Sequence, residues 1–255
     1  MASRADDGGL GSEGPAKNTP GLFAAIRSTL SDAYYHSWRL LPANIVWTLV
    51  VLAYLTLVVA VPVAIVVAPL LAIPTAGIFR LTTRIVRGEA VSFSDALDAW
   101  RRDLVATVGV GAAVALAVAV FLFNIVAGLA SASPLGWALA TLAGWGLVAT
   151  WLVAWTTWPI LLDPSRSGRP VRERLRLAGL LVLAHPVRIA GLGVVLATFL
   201  IASTVAIVAL AAISVSLSAL LASRFVLPAA DRLEARLSPS NSDNAPPIVA
   251  DDGVR

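Results

Sequence analysis

Apolar residues in this chain come in blocks too long for the elements of a soluble core. Residues 40–79, 104–162 and 189–223 contain no Asp, Glu, Lys or Arg at all. One membrane-crossing helix needs about 20 apolar residues. Blocks of 40, 59 and 35 residues are each too long for one crossing and long enough for two. The pattern predicts an all-α, polytopic helical membrane protein with six transmembrane helices arranged as three hairpins. The expected spans are 43–61 and 62–80, 104–130 and 135–162, and 188–205 and 207–227. In the middle block the turn is marked by Ser131-Ala132-Ser133-Pro134, a small polar cluster ending in a helix-opening proline. In the first block Pro62, Pro69 and Pro74 punctuate the second half. The turn is placed at Val61-Pro62, because proline suits a first turn and breaks an interior. The last block has no such punctuation before Pro228. As a single helix it would run roughly 52 Å, far beyond a hydrocarbon core of about 30 Å.

Each hairpin is preceded by a segment whose apolar positions recur at helical spacing but whose other faces are polar. Phe23, Ile26, Leu30, Tyr34 and Trp38 form one stripe, with Arg27, Ser31 and Asp32 off it. In the second segment, 94–104, Leu97, Trp100 and Leu104 oppose Asp95, Asp98, Arg101 and Arg102. Ser92 followed by Asp95 reads as an N-capping arrangement. The third segment, 170–184, carries Arg172, Glu173, Arg174 and Arg176 beside Val171 and Leu175. Helices of this kind lie in the headgroup plane. The plan is therefore an interfacial helix and then a hairpin, three times over, in one membrane domain at 21–236. The polar flanks 1–20 and 237–255 are expected to be disordered.

Charge sets the orientation. The four long segments that flank the predicted hairpins, counted with Arg80, Arg188 and Arg224 at the bordering ends of the spans, hold all 19 Lys and Arg residues. With six crossings these segments share one face, which the positive-inside rule makes cytoplasmic. Both termini are then cytoplasmic, in a multi-pass protein of a bacterial inner membrane. Five crossings would send the last arginines outside. The composition agrees: 58% of residues are hydrophobic and 13% charged, against about 25% charged in a soluble domain. A pI near 10.3 would suggest nucleic acid in a soluble chain, but here the basic residues lie beside a bilayer and meet anionic headgroups. No nucleic-acid partner is expected. The N-terminal region lacks the pattern of a cleavable signal, so the first span is expected to serve as its own insertion signal. The chain has no cysteine, which excludes disulfides and thiolate metal sites.

Candidate chemistry is sparse. His36 and His185 both fall in interfacial segments. No phosphate loop, zincin helix or nucleophile elbow occurs, and no acidic residue lies within a predicted span. Neither an intramembrane proton relay nor an enzyme is expected, and no metal or cofactor. Two features of the spans stand out. Trp151, Trp155 and Trp158 form a stripe on the fourth span, readable as a sugar-stacking surface or as an aromatic belt with packing. Asn124 lies in an otherwise apolar run, suited to bonding across helices or to touching a solute.

Several runs resemble the YesL-like family of bacterial integral membrane proteins. They are Asn44-Ile45-Val46-Trp47, the block from Pro74-Thr75-Ala76-Gly77 through Arg84 to Gly88-Glu89, the stretch Val91 to Leu97, and His185-Pro186-Val187-Arg188. The resemblance covers about 38–236, although the stretch between Trp47 and Pro74 is longer than the family's usual version. It marks Asn44, Trp47, Pro74, Thr75, Gly77, Arg84, Gly88 and Glu89 as motif positions. The family has no assigned function, and its members often accompany carbohydrate importers of the ABC class. It implies a link to carbohydrate uptake. The expected role is a non-catalytic accessory subunit associated with carbohydrate ABC import, with Arg84, Arg87 and Glu89 readable as a cytoplasmic docking surface for transporter subunits. The same block is also readable as a plain loop at the headgroups. The alternative reading is a solute permease or channel with a path between the hairpins.

Overall fold

The computed structural model describes residues 22–205 and 213–237, and no strand occurs among them. The helices are α1 (Leu22–Tyr35), α2 (Ser37–Ala60), α3 (Ala72–Val86), α4 (Ser94–Arg102), α5 (Leu104–Ala130), α6 (Pro134–Leu161), α7 (Val171–Ala184), α8 (Pro186–Val205) and α9 (Val215–Leu237). A 3-10 segment, Pro62–Leu71, joins α2 to α3, and a 3-10 turn, Pro164–Arg166, follows α6. The expected tails at 1–20 and 237–255 lie outside the described residues, except that Leu237 is still the last residue of α9.

Five stretches among the described residues are long and apolar enough to cross a membrane: Ser37–Ala60, Pro62–Val86, Leu104–Ala130, Pro134–Leu161 and Pro186–Ser203. They coincide with the first five expected spans to within a few residues, except that the first begins at Ser37 and the second continues to Val86. The three segments expected at the interface form separate helices, α1, α4 and α7, although Trp38 of the first falls in α2. Of the sixth expected span, residues 207–212 lie outside the described residues. From Val215 the chain is helical to Leu237, past the end expected at 227. Hydropathy marks where a helix leaves oil, not where its hydrogen-bond ladder stops.

The turn at Val61 is where expected. Val61 leaves helical geometry at φ −137°, ψ 88°, and Pro62 opens the next element. That element is a 3-10 helix of ten residues with none buried, long for a form that usually runs only about 3–4 residues. Pro69, inside the element, lacks the N–H that an α-helical ladder needs at its position, whereas Pro62 stands in the first turn, where none is needed. Regular α-helix resumes at Ala72.

The middle hairpin closes tightly. Ser133 Oγ accepts from Gly136 N at 3.1 Å, and Pro134 occupies the first turn of α6. A Cβ on Gly128 would stand 2.5 Å from the Gly136 carbonyl oxygen and 3.1 Å from Ala140 Cβ. The α5 and α6 backbones meet there because both residues lack side chains, the small-residue contact typical of helices in lipid.

Helix α9 is the hub. It packs against α1, α2, α3, α6, α7 and α8, and Ala219, Leu220, Ala222 and Val226 are completely buried. The main cluster joins them to Phe79 and Leu81 of α3, Ile160 and Leu161 of α6, and Leu192 and Leu196 of α8. Two of its buried serines face partners, while Ser218 Oγ is buried without one. Ser223 Oγ lies 3.2 Å from Thr82 Oγ1 on α3, and Ser216 meets Asn44 on α2.

Candidate functional site: the charged end of the bundle

The C-terminal ends of α3 and α6 and the last turns of α9 come together. Helix α3 stops through backbone chemistry. Gly88, at φ 73°, takes the left-handed conformation that glycine tolerates without a Cβ penalty. Gly88 N then donates to Ile85 O and Glu89 N to Arg84 O, both at 3.0 Å, which is a Schellman stop. Glu89 Oε2 accepts from Arg84 Nε at 2.8 Å, and Arg84 also pairs with Asp95 at the start of α4. Asp95 Oδ2 in turn accepts from Ser92 N at 2.7 Å. The expected capping of α4 by Ser92 is thus realised through the Asp95 carboxylate rather than the Ser92 hydroxyl.

Arg87, the residue at the stop, turns inward. Its Nε donates to Asp163 Oδ1 at 3.1 Å and its Nη2 to Asp163 Oδ2 at 2.5 Å. The same guanidinium grips Asp231 of α9, Nη1 to Oδ2 at 2.8 Å and Nη2 to Oδ1 at 3.0 Å. Arg166, 2% exposed, pairs with Asp163, which is fully buried. Arg166 also donates from Nη2 to Asp231 Oδ1 at 2.5 Å and to Glu234 Oε2 at 3.1 Å. Arg169 completes the set on Glu234. Two carboxylates on α9 and one after α6 are thus bridged by three arginines from two different loops.

The last carbonyls of α6 are also held by arginines. Leu162 O accepts from Arg80 Nη1 at 3.0 Å and from Thr83 Oγ1 at 3.2 Å, and Leu161 O accepts from Arg174 Nη1 at 2.5 Å. A helix C-terminus leaves carbonyls without partners and carries partial negative charge. Cations from α3 and α7 satisfy both needs.

The electrostatics follow from this geometry. The Arg87 guanidinium is held above its ordinary range by its hydrogen bonds to Asp231 and Asp163. Burial lowers that of Arg166, but hydrogen bonds and charge from Glu234, Asp163 and Asp231 outweigh it and the net direction is up. Burial raises the Asp231 carboxyl, yet Arg87 and Arg166 bring it below the usual carboxylate value. A carboxylate so held stays ionised at neutral pH and is a poor proton donor. Among the described residues no group of three His, Cys, Asp or Glu side chains is placed to hold a metal ion. His36, at the junction of α1 and α2, is lowered by burial and by Arg39, whereas His185 sits at the end of α7.

The expected site residues do not converge on one place. Trp158 stacks on Phe79 of α3 (6.1 Å between centroids, 20° between planes), and Trp155 meets the same ring edge-on at 5.7 Å. Trp151 packs on Trp155 at 5.3 Å and donates from Nε1 to Gly193 O of α8 at 3.3 Å. The indole stripe therefore joins α6 to α3 and α8. Only Trp151 borders an open groove of about 640 Å³ between α5, α6 and α8, which is lined by aliphatic side chains such as Val114, Leu147 and Leu200. Asn124 is exposed and donates to Val120 O of its own helix at 2.7 Å. The expected bonding across helices is replaced by a bond within α5, since no neighbouring helix among the described residues covers that face.

The motif positions resolve into fastenings. Asn44, fully buried, accepts at Oδ1 from Ser216 N at 3.0 Å and lies 3.2 Å from Ser216 Oγ in the first turn of α9. Trp47 Nε1 donates to Thr75 Oγ1 at 3.0 Å, and that hydroxyl donates to Leu71 O at 2.8 Å. Pro74 and Gly77 are buried beside Ala43 and Val46. Arg84, Gly88 and Glu89 build the α3 stop. Of the expected docking trio, Arg87 is committed to Asp163 and Asp231.

Reading the sequence missed Asp163, Arg166, Asp231 and Glu234. One signal was present: Asp163 is the first charge after 59 uncharged residues and Arg166 follows three positions later. Nothing in the order of residues ties that pair to α9. No family model matches the chain, and neither the curated proteins nor the solved structures give a significant match.

Proposed function

We propose that this is a non-catalytic accessory subunit of a bacterial inner membrane, crossing it six times with both termini cytoplasmic, and working beside a carbohydrate importer of the ABC class. The observation that carries the reading is the ion-pair lattice at the charged end. The chemically capable side chains that converge there are spent on one another, so the assembly presents a fixed surface rather than a reaction centre. The same lattice favours six crossings. Arg87 follows the second apolar stretch, which runs to Val86, Asp163 follows the fourth expected span and Asp231 the sixth, yet all three meet. With five crossings Asp231 would lie across the bilayer from its partners. The partner class rests on the family resemblance. Arg172 and Arg176, one turn apart on α7 and both exposed, offer a cationic face for such a partner.

Affinity purification of the full chain in mild detergent is the test. Copurification of ABC-transporter subunits, lost in a Arg172→Glu, Arg176→Glu double variant, is the expected result. Solute uptake by the purified protein alone in sealed vesicles would refute the accessory reading in favour of a permease. A periplasmically active reporter at the carboxyl end would refute the even number of crossings.

A further inference from the structure

A second cavity, of about 800 Å³, opens between α4, α5 and α7, and its walls change character from one end to the other. Its mouth is formed by Arg101, Arg102, Asp103 and Arg174, and its inner arm by Val105, Val110 and Ala113 of α5 with Val171 and Leu175 of α7. Arg101 and Arg102 are exposed in the last turn of α4. Neither makes an ion pair among the described residues. The Arg174 side chain is 5% exposed; its Nη1 is 3.6 Å from Asp103 Oδ1 and donates to Leu161 O. Its Nε is buried and has no acceptor.

We infer that this cavity binds one anionic phospholipid, with the phosphate at the arginine mouth and an acyl chain along α5. Three observations lead there. Arg101 and Arg102 have no carboxylate partner among the described residues, and phosphate oxygens are the acceptors arginine favours. Around the mouth three arginines face one carboxylate, that of Asp103, so an anion is attracted. Helix α5 also opens there at Leu104 with no side-chain cap, which turns the positive end of a 27-residue helix toward the same point. A free phosphate would answer these needs, but it would leave the apolar arm empty. The arm continues along a helix long and apolar enough to cross a membrane, at the depth where a headgroup gives way to acyl chains. Basic pockets between helices at that level suit anionic headgroups.

Gly109 makes the inference testable. It borders the arm, and a Cβ built on it meets nothing within 4 Å. A leucine there has room for its Cβ and adds apolar bulk at the border of the arm. Native mass spectrometry of the purified full chain would use phosphatidylglycerol, phosphatidylcholine and inorganic phosphate as probes. One phosphatidylglycerol retained per chain, in preference to phosphatidylcholine, is expected. Arg101→Ala with Arg102→Ala should weaken it by about thirtyfold, given the attraction of each arginine near a charged surface. Gly109→Leu should weaken it by about tenfold, with an unchanged melting temperature, because it displaces several buried methylenes. Equal retention of both lipids, competition by inorganic phosphate at matching concentration, or an unaffected Gly109→Leu variant would each overturn the site. The inference rests on the bilayer reading, which alkaline extraction of membranes checks separately. A protein that washes off sinks that reading, while one that stays but holds no phosphatidylglycerol sinks only the site.

Discussion

Helices α5 and α9 have similar lengths and opposite surroundings. Of the 27 residues in α5 only Thr107 and Gly128 are buried, although the helix is apolar almost throughout. Of the 23 in α9, twelve are buried, although it carries three buried serines, Arg224, Asp231 and Glu234. In water the apolar helix would be the core and the polar one the surface. Here the order is reversed, because lipid solvates Leu and Val as well as a protein interior does and leaves hydroxyls and charges to find one another. The helix that looks least like a span is the one that organises the bundle.

The sharpest way to break this contrast is at the charged end of α9. Asp163→Asn removes the ion-pair partner of Arg87 and Arg166 while keeping the shape. With Asp163 fully buried and Arg166 2% exposed, the uncompensated charge should cost about 3–5 kcal/mol. The expected result is a large fall in melting temperature in detergent or loss of folded yield; a change of only a degree or two would mean that water already screens the lattice.

A matched pair of truncations measures the contrast directly. Leu220 on α9 is fully buried and Leu116 on α5 is 67% exposed. Leu220→Ala should destabilise by about 2–5 kcal/mol through cavity formation. Leu116→Ala should stay within about 0.5 kcal/mol, as surface substitutions do. Equal effects would show that a second copy or a partner covers the α5 face.

A smaller effect belongs to the other end of α9. Asn44→Ala leaves Ser216 N without its buried acceptor, while Ser216 Oγ keeps Leu40 O, and about 1–3 kcal/mol is expected for the orphaned N–H. Asn44→Asp retains an acceptor oxygen and should recover part of the loss, a difference readable by thermal unfolding. The smallest effect is acid sensitivity. The Asp231 carboxyl is held below its ordinary value, so its contribution is complete above the unfolded value of about 3.9 and fades only as pH falls through the lower folded value. Stability should therefore be flat from pH 7 to about pH 4 as far as this group is concerned. Asp231→Asn should flatten whatever acid loss appears below that; an unaltered acid limb would assign the loss to other carboxylates.

Much of the fold is legible along the chain. The α5–α6 boundaries follow from Ser131-Ala132-Ser133-Pro134, and the first turn from Val61-Pro62, since proline and a polar cluster act on their own neighbourhood. The 3-10 form of Pro62–Leu71 was not read, because prolines announce a departure from α-helix without saying which ladder replaces it. The candidate site was less legible. Trp151, Trp155 and Trp158 share a face by spacing, but Phe79, which decides that the face is packed, lies far away in sequence. Asn44 and Asn124 are alike to a reader of the sequence. One fastens α9 and the other bonds its own helix, because only Asn44 has a neighbouring helix within reach.

Local composition alone determined which segments are too apolar for water, where the first two apolar blocks turn, and on which segments the arginines gather. Free energies of transfer are sums over nearby residues, so they can be read in order. Tertiary structure decided that Arg87, Asp163, Arg166, Asp231 and Glu234 share one buried lattice, and that α9 stands at the centre. An ion pair depends on distance in space, steeply so where little water screens it, and separation along a chain carries no such information.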